Sequence, residues 1–161
     1  MSLEIKKILE SDIPSSANII RQSFKTVADE FGLTMENTPT NGAFLKDAKL
    51  FEEYNSGTRM FGLFEGKTQV GFFALKCKDG EVFYLEKLAV LPEYRHNGGG
   101  KMMLNYAKEY VKRASGKIIS IGIIFENKRL LEWYRLCGFE ETGTKVLSKF
   151  PFTVCFMKLY V

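Results

Sequence analysis

The chain has 161 residues, of which 45% are hydrophobic and 26% are charged, a balance that excludes a wholly disordered protein and predicts a single domain spanning 1–161. No apolar stretch approaches the roughly 18 residues of a membrane span, the first residues lack the apolar core of a signal peptide, and three cysteines without paired spacing indicate neither a metal site nor a disulfide framework. These features predict a cytoplasmic protein without a metal or a membrane partner, and the net charge of +4 is too small to indicate nucleic acid binding by itself.

The first third of the chain predicts one strand followed by two helices. Residues 3–9 mix apolar and charged side chains over a length typical of a strand. A first helix is expected to begin with residues 11–12 as its cap and to end at Gly32, because glycine readily takes the left-handed conformation that closes a helix. Asn41 is the expected cap of a second, shorter helix that ends near residues 56–57.

The remainder of the chain predicts six strands and two helices. The Asp79-Gly80 pair is typical of a β-hairpin turn, and the almost continuously apolar segment 118–125 predicts a strand that is buried on both faces. Strands are expected at 58–65, 68–78, 81–90, 118–125, 139–144 and 152–160, with helices in the two long intervals after residue 90 and after residue 125. This order predicts the α/β (α+β) class: a single mixed, mostly antiparallel sheet of about seven strands flanked by about four helices, with one parallel crossover.

A glycine-rich segment joins the strand 81–90 to the following helix. The glycines 98–100 lie where that helix begins, so several backbone N–H groups are left unpaired at its positive end. Glycine lets the backbone approach an anion closely, and Arg95 and Lys101 add positive charge, which favours a phosphate or pyrophosphate ligand. The alternative is a tight turn without a ligand. Neither a dinucleotide fingerprint nor a P-loop fits, because methionines occupy 102–103.

Two motifs in this part of the chain resemble those of the GNAT superfamily of N-acetyltransferases. The pattern Arg95-x-x-Gly98-x-Gly100, preceded by the strand end at 88–94, resembles the superfamily's acetyl-coenzyme A (acetyl-CoA) binding motif. Downstream, Asn127, Tyr134 and the Cys137-Gly138-Phe139 turn resemble its Asn…Tyr-x-x-x-Gly-Phe segment. The order of elements is also similar, so the resemblance extends over nearly the whole chain.

The resemblance implies a GNAT-like (acyl-CoA N-acyltransferase) fold in which the parallel strands 81–90 and 118–125 splay apart around acetyl-CoA. Backbone groups of Leu88 and Val90 would contact the pantetheine arm and the thioester, and the amides of 96–101 would bind the pyrophosphate. The cofactor-binding residues implied in this way are Leu88, Ala89, Val90, Arg95, His96, Asn97, Gly98, Gly99, Gly100, Lys101 and Asn127.

Three residues of that set have a second interpretation. Gly99 stands where the superfamily often carries a bulkier residue, which implies a more flexible loop. His96 is the single histidine of the chain, and a position beside the phosphates or in solvent is favoured over a role as general base. Asn127 would hydrogen-bond the pantetheine or cap the helix that it begins, and these two roles are compatible.

The resemblance also implies two catalytic residues. Glu86 matches a glutamate proposed as a base in some small-amine acetyltransferases, and strand alternation predicts that it lies on the same side as Val90. The alternative is a surface glutamate paired with Lys87 or another lysine. Tyr134 is implied as the proton donor to the departing thiolate, with a core aromatic residue as the alternative. Cys137 is interpreted as a small apolar residue, since direct transfer needs no acyl-cysteine intermediate.

We therefore expect an N-acetyltransferase that moves an acetyl group from acetyl-CoA to a primary amine of a small molecule or peptide, by direct attack in a ternary complex. The alternatives are a catalytically inactive CoA-binding sensor and a basic nucleic-acid-binding module. Residues 14–55 and 146–152 would shape the acceptor site, and a homodimer through the last strands is a further expectation. A cationic amine would be favoured if these acids line the site rather than exposed helix faces: Asp29, Glu30, Glu36, Glu52 and Glu53.

Overall fold

Seven strands form one mixed sheet in the computed structural model, which describes residues 2–161. The strands are β1 (Leu3–Lys7), β2 (Arg59–Glu65), β3 (Thr68–Cys77), β4 (Val82–Val90), β5 (Ile118–Ile124), β6 (Glu140–Val146) and β7 (Thr153–Tyr160). The helices are α1 (Ile13–Phe31), α2 (Asp47–Asn55), α3 (Gly99–Arg113) and α4 (Lys128–Leu136). The strand order is β1-β2-β3-β4-β5-β7-β6, and β4–β5 is the parallel pair. The predicted fold class and element order are confirmed.

The helix boundaries in the first third of the chain differ in detail from those predicted. The α1 helix ends as expected at Gly32, which has a left-handed φ of 65°. Asp12 precedes α1 without capping it, because its carboxylate instead accepts a hydrogen bond from the Leu9 N–H at 2.9 Å. Asn41 caps a short 3-10 turn by accepting from the Ala43 N–H at 2.9 Å, and α2 begins six residues later, at Asp47.

Two hydrophobic clusters cover the two faces of the sheet. Because side chains alternate along a strand, Phe73 and Leu75 of β3 pack with α3 and α4, whereas Phe72 and Ala74 pack with α1 and α2. We call these the α3–α4 face and the α1–α2 face. None of the helices within residues 2–161 combines the length and the apolar character that crossing a membrane requires.

Strand β5 is not buried on both faces, contrary to the prediction. Ile119 and Ile121 are buried on the α3–α4 face, whereas Gly122 is exposed. The reason is that α1 packs over β3 and β4 rather than over β5. An apolar strand therefore lies beside open space at the centre of the molecule.

The two central strands separate after a short parallel ladder. Pairing extends from Val82–Ile118 to Tyr84–Ser120 and then stops, although both strands continue. Beyond this point one edge of β4 and one edge of β5 face a gap, which the resemblance led us to expect.

A β-bulge in β4 changes which side chains share a face. Ala74 pairs with Glu86 and Phe72 pairs with Ala89, so two residues of β4, Lys87 and Leu88, oppose the single residue between Ala74 and Phe72. As a result Glu86 lies on the α1–α2 face with Ala74. Val90, opposite Gly71, packs instead against the α3–α4 cluster. The prediction that Glu86 and Val90 share a side is wrong, because the bulge breaks the period-two alternation on which it rested.

Candidate active site

The loop before α3 carries six consecutive backbone N–H groups without a protein acceptor. The Arg95 N–H binds the Pro92 carbonyl at 3.3 Å, and the first bond of the helix runs from the Met102 N–H to the Gly98 carbonyl at 3.0 Å. Between them, the amides of residues 96–101 donate to no acceptor within residues 2–161. Six free donors at the positive end of a 15-residue helix make this loop suited to binding an anion.

The glycines at 98–100 serve different physical purposes. Gly98 has a left-handed φ of 80°, a conformation that side chains rarely adopt. Gly99 is buried, and a Cβ there would lie 2.7 Å from Leu63 Cδ2. The expectation that Gly99 loosens the loop is therefore wrong, because this glycine lets α3 pack closely on β2. A Cβ at Gly100 would make an ordinary contact of 3.4 Å with the Trp133 ring.

The main-chain groups of Val90 point into the gap between β4 and β5. The Leu91 N–H binds the Val70 carbonyl at 2.9 Å, so the adjacent antiparallel pair, Gly71 and Val90, is a non-hydrogen-bonded pair. Its N–H and C=O groups are directed away from the partner strand, and for Val90 that direction is the unpaired edge of β4. An N–H donor therefore faces the gap at the end of the strand.

Arg95 connects the glycine loop to α1 rather than extending freely over it. Its Nε donates to the Val90 carbonyl at 3.2 Å, its Nη1 to Thr26 Oγ1 at 3.2 Å and its Nη2 to the Ser23 carbonyl at 3.0 Å. The guanidinium, predicted as positive charge for a pyrophosphate, thus spends three of its five donors on the protein. It holds the end of β4, the loop and α1 together.

The remaining residues of the predicted cofactor set divide into exposed loop residues and packed strand residues. His96, with a positive φ of 65°, is exposed, as are Asn97 and Lys101. Leu88 packs on the α3–α4 cluster, and Ala89 is 4% exposed on the opposite face. These three residues belong to the loop and the first turn of α3, the same segment as the free amides, and Lys101 adds a positive charge to it.

Tyr134 of α4 is a core residue whose hydroxyl stays accessible. It is 5% exposed and packs edge-on against Trp133 and Phe139, with ring centroids 4.9 and 5.2 Å away. Within residues 2–161 the Tyr134 oxygen has no hydrogen-bond partner. Among the described residues only Ser23 Oγ lacks both a partner and solvent contact, so the Tyr134 oxygen retains some contact with solvent. Burial raises the pKa of Tyr134 above its usual 10.0, and Cys137 contributes further. The hydroxyl is therefore protonated at neutral pH and available as a donor.

Asn127 and Cys137 lie at the two ends of α4. The Asn127 side chain accepts a hydrogen bond from the Leu130 N–H at 3.3 Å, so the helix-capping role is confirmed. Burial raises the pKa of the Cys137 thiol, and this effect is partly opposed by the positive charge of Lys101. A thiol held in its neutral form is a poor nucleophile, as the sequence suggested.

Glu86 faces a small polar cavity on the α1–α2 face. It is the second residue beyond Tyr84, where the parallel ladder ends, so its backbone belongs to the part of β4 that borders the gap. The cavity has a volume of about 190 Å³, and its lining consists of Lys49, Glu52, Glu53, Ser56, Thr58, Lys76 and Glu86. Lys87 Nζ lies 3.8 Å from Glu86 Oε2, so the predicted lysine neighbour is present while the carboxylate still contacts the cavity.

Most of the acids proposed for a cationic acceptor already have basic partners. Glu53 pairs with Lys87 at 3.0 Å, and Glu30 pairs with Arg129 at 2.9 Å. Asp29 likewise pairs with Lys25 at 2.8 Å, and Glu52 lies 3.9 Å from Lys49. These pairs neutralise the negative charge on which the expectation of a cationic acceptor rested.

Sequence reasoning missed the long-range contacts that complete the site. The Lys87–Glu53 pair joins residues 34 positions apart, and Arg95 reaches Ser23 and Thr26 over 72 and 69 positions. No pattern of residue spacing along the chain predicts these contacts. Within β4, the one positively charged residue, Lys87, was the visible irregularity.

Comparison with known proteins identifies the family. The model of the acetyltransferase (GNAT) family matches residues 26–139. A curated relative from Methanocaldococcus jannaschii, the uncharacterized N-acetyltransferase MJ1207, is 35% identical over 78 residues, or 45% of this chain and 34% of the relative. The chain thus spans about a third of that relative's length.

Solved structures share the fold. The ribosomal-protein-S18-alanine N-acetyltransferase from Escherichia coli superposes with a TM-score of 0.79 at 14% identity, covering 99% of this chain and 94% of that one. The PaiA N-acetyltransferase from Thermoplasma acidophilum, solved in complex with coenzyme A, gives 0.77 at 20% identity and full coverage of both chains. At these identities the similarity establishes the architecture alone.

Proposed function

Because this chain belongs to the acetyltransferase (GNAT) family, we propose that it transfers an acetyl group from acetyl-CoA to a primary amine of a small molecule or peptide, by direct attack in a ternary complex. The observation that carries the proposal is the row of free amides at 96–101, which lies next to the end of β4 where the strands diverge. Acetyl-CoA joins a diphosphate to a long arm. A site that binds an anion with main-chain N–H groups and opens into a gap between strands suits such a molecule.

The loop would hold the diphosphate and Val90 would hold the reacting end. Acetyl-CoA supplies an acetyl thioester, in which the carbonyl carbon is already activated toward an amine. The gap-facing N–H of Val90 would donate to the thioester oxygen, on which negative charge grows during attack. A backbone donor fixed by the sheet costs no reorganisation at that moment.

Two side chains would move protons. An amine of pKa near ~10 must lose a proton to attack, and Glu86, beside the opening of the gap, would accept it directly or through water. As the new C–N bond forms and the C–S bond breaks, the Tyr134 hydroxyl would donate a proton to the sulfur. Tyr134 is protonated at neutral pH, so a proton is available when the sulfur leaves, and its raised pKa makes the hydroxyl a weaker acid than an exposed tyrosine.

The acceptor would enter from the α1–α2 face. Glu86 and the polar cavity lie on this face, whereas the anion-binding loop opens at the N-terminus of α3. Donor and acceptor would therefore approach the gap from different directions, as direct transfer in a ternary complex requires. With its acids largely paired to lysines and arginines, the site favours a single amine over an extended polycation.

The test is thiol release from acetyl-CoA in the presence of an amine panel that contains amino acids, amino sugars, polyamines and peptides with free N-termini. We expect at least one monoamine to accelerate release above the rate of hydrolysis. Calorimetry with coenzyme A runs in parallel. Binding without turnover by any amine would identify a coenzyme A sensor, and absence of binding would refute the role assigned to the loop.

A further inference from the structure

The α1–α2 face of the sheet is covered over only part of its width. Within residues 2–161, α1 packs over β3 and β4, and the apolar cluster on this face contains no residue of β5, β6 or β7. On β5, Ile119 and Ile121 are buried in the opposite cluster, so Gly122 lies on the uncovered side, where it is exposed. Its strand partner Phe156 is 38% exposed on the same side. An apolar surface is therefore open to solvent beside the gap.

The ring of Phe156 leans toward β5 and thus toward the gap. It lies between two glycines on neighbouring strands, Gly122 on β5 and Gly143 on β6. A Cβ at Gly122 would lie 3.6 Å from Phe156 Cε1 and 3.6 Å from Val154 Cγ1, whereas a Cβ at Gly143 would have nothing within 4 Å. Ile124 pairs with Val154 on the same face. We call Gly122, Ile124, Val154 and Phe156 the β5–β7 shelf.

Gly122 lies across the gap from Glu86. Tyr84 and Ser120 form the last pair of the parallel ladder, and two residues further along each strand are Glu86 and Gly122, both on the α1–α2 face. The backbone does not require a glycine at 122, because its φ is not left-handed and an added Cβ would make only ordinary contacts. A glycine inside a strand weakens it and often marks a place that a ligand approaches closely.

The main chain of Gly122 presents polar groups to the gap. The Phe125 N–H donates to the Thr153 carbonyl at 2.9 Å, and the Val161 N–H donates to the Lys117 carbonyl at 2.9 Å. The odd-numbered residues of β5 therefore bond with β7, and the even-numbered residues direct their N–H and C=O groups toward β4. Because Gly122 lies beyond the end of the parallel ladder, its carbonyl is available to an amine in the gap.

The charges beside the shelf favour an acceptor with a single amine. On this face, Lys145 lies opposite Val154, and Lys158 lies further along β7. Neither lysine is within salt-bridge distance of a carboxylate of the described residues. Glu140, opposite Lys158, is the one acid that β5, β6 and β7 place there. A second ammonium on the acceptor would meet two like charges, whereas an apolar group would be removed from water by the shelf.

We propose that Gly122 determines the acceptor: its bare backbone admits the amine of a small apolar monoamine from the β5–β7 shelf into the gap, while the aromatic or branched aliphatic body of that molecule rests on Phe156 and Val154. The inference rests on the proposed function and narrows its acceptor class. Neighbouring strands lie about 4.8 Å apart, so the shelf from Gly122 to Phe156 has the width of a single ring. The amine would donate to the Gly122 carbonyl, across the gap from Glu86.

NMR titration with amines tests the site without relying on turnover. The probes are phenethylamine, ethylamine as the amine without an apolar body, and spermidine as the polycation. In protein labelled with nitrogen-15, with and without coenzyme A, phenethylamine should shift the amide signals of Gly122 and Ile124 until they saturate. We expect it to bind about tenfold more tightly than ethylamine, because the ring buries additional apolar area. Spermidine should bind no more tightly than ethylamine.

Two glycine substitutions provide the matched comparison. Gly122→Val fills the bare position, and Gly143→Val makes the same change on the other side of Phe156. Neither glycine has a left-handed φ, and valine suits a strand, so both variants should fold. We expect Gly122→Val to weaken phenethylamine binding and to lower its kcat/KM about tenfold, with an unchanged KM for acetyl-CoA. Gly143→Val should match the wild type. Should Gly122→Val not fold, Gly122→Ala should show a smaller loss in the same direction.

The outcomes separate this inference from the proposed function. Absence of saturable shifts at the shelf, equal losses in the two glycine variants, or tighter binding of spermidine would overturn the inference even when some amine accelerates thiol release. Saturable binding that only substitution of Gly122 weakens supports it. If the wild-type protein binds phenethylamine in this way but no amine accelerates thiol release, the proposed transfer fails while the binding site stands.

Discussion

The two sides of the gap between β4 and β5 are built from different chemistry. The donor side, residues 88–90 and 95–101, includes the gap-facing N–H of Val90 and the N–H groups of 96–101, which have no protein acceptor within the described residues. The acceptor side, α1, α2 and the cavity beside Glu86, presents charged side chains that mostly have partners. Backbone donors bind any diphosphate of suitable shape, whereas paired charges select by fit. Under the proposed function, this difference means that the donor would be recognised by main-chain geometry and the acceptor by particular side chains.

The largest effect is expected when the proton-transfer residue on each side of the gap is removed separately. Tyr134→Phe on the donor side and Glu86→Gln on the acceptor side should each lower kcat by about 100-fold, because each removes a proton-transfer group. The affinity for acetyl-CoA, measured by calorimetry, should change little. Tyr160→Phe, on an exposed residue at the end of β7, is the control. Unaltered turnover in Tyr134→Phe would leave this residue as a core aromatic only.

A smaller effect is expected when the donor-side backbone is distorted. Gly98→Ala places a side chain at a φ of 80°, which costs about 1–2 kcal/mol and displaces the free amides. We expect acetyl-CoA affinity to fall about tenfold. Gly100→Ala, whose Cβ has room beside Trp133, should bind nearly as well as the wild type. Equal losses in the two variants would contradict the separate purposes assigned to these glycines.

The contact between the two sides can be weakened at Arg95. Removing its three hydrogen bonds by Arg95→Gln should destabilise the protein by about 1–2 kcal/mol and lower acetyl-CoA affinity roughly fivefold, since the loop loses its anchor to α1. Thr26→Val removes one of the three acceptors and should cause a smaller loss of the same kind. Affinity measured against salt concentration distinguishes the roles: an anchor leaves the slope unchanged, whereas a direct phosphate ligand reduces it.

The smallest effect concerns the burial of Tyr134. Burial raises its pKa, so above pH 10 the folded protein retains a proton that the unfolded chain releases. Stability contributed by this group is therefore complete below pH 10 and falls as the pH rises further, by about 1 kcal/mol at pH 11. Chemical denaturation should show this decline in the wild type and in Tyr160→Phe, and a weaker decline in Tyr134→Phe. Parallel slopes in all three would mean that the tyrosine is solvated.

Local patterns predicted the elements and the donor side well. The hairpin at Asp79-Gly80 and the end of α1 at Gly32 follow from turn and cap chemistry that acts within a few residues. The glycines 98–100 predicted free amides for the same reason, because a helix start without capping side chains leaves donors unpaired wherever it occurs. Strong local signals were therefore sufficient for the part of the site that is made of backbone.

The errors arose where one segment meets a distant one. The bulge at Lys87 reverses the face of Val90 relative to Glu86. Within β4, only that lysine indicates the bulge in the sequence. Arg95 was expected over the loop but bonds to α1. Gly99 was expected to loosen the turn, yet it admits Leu63 of β2. In each case the deciding partner lies tens of residues away in the chain.

The amino-acid sequence alone determined the order of strands and helices, the family resemblance and the glycine turn with its free amides, since these depend on periodicity, caps and glycine within short windows. Tertiary structure alone decided which face Glu86 occupies, that Lys87 is shared between Glu53 and Glu86, and that Arg95 anchors the loop to α1. The physical reason is that side-chain charges act through space at 3–4 Å, a separation that strand register and helix docking set and that spacing along the chain does not.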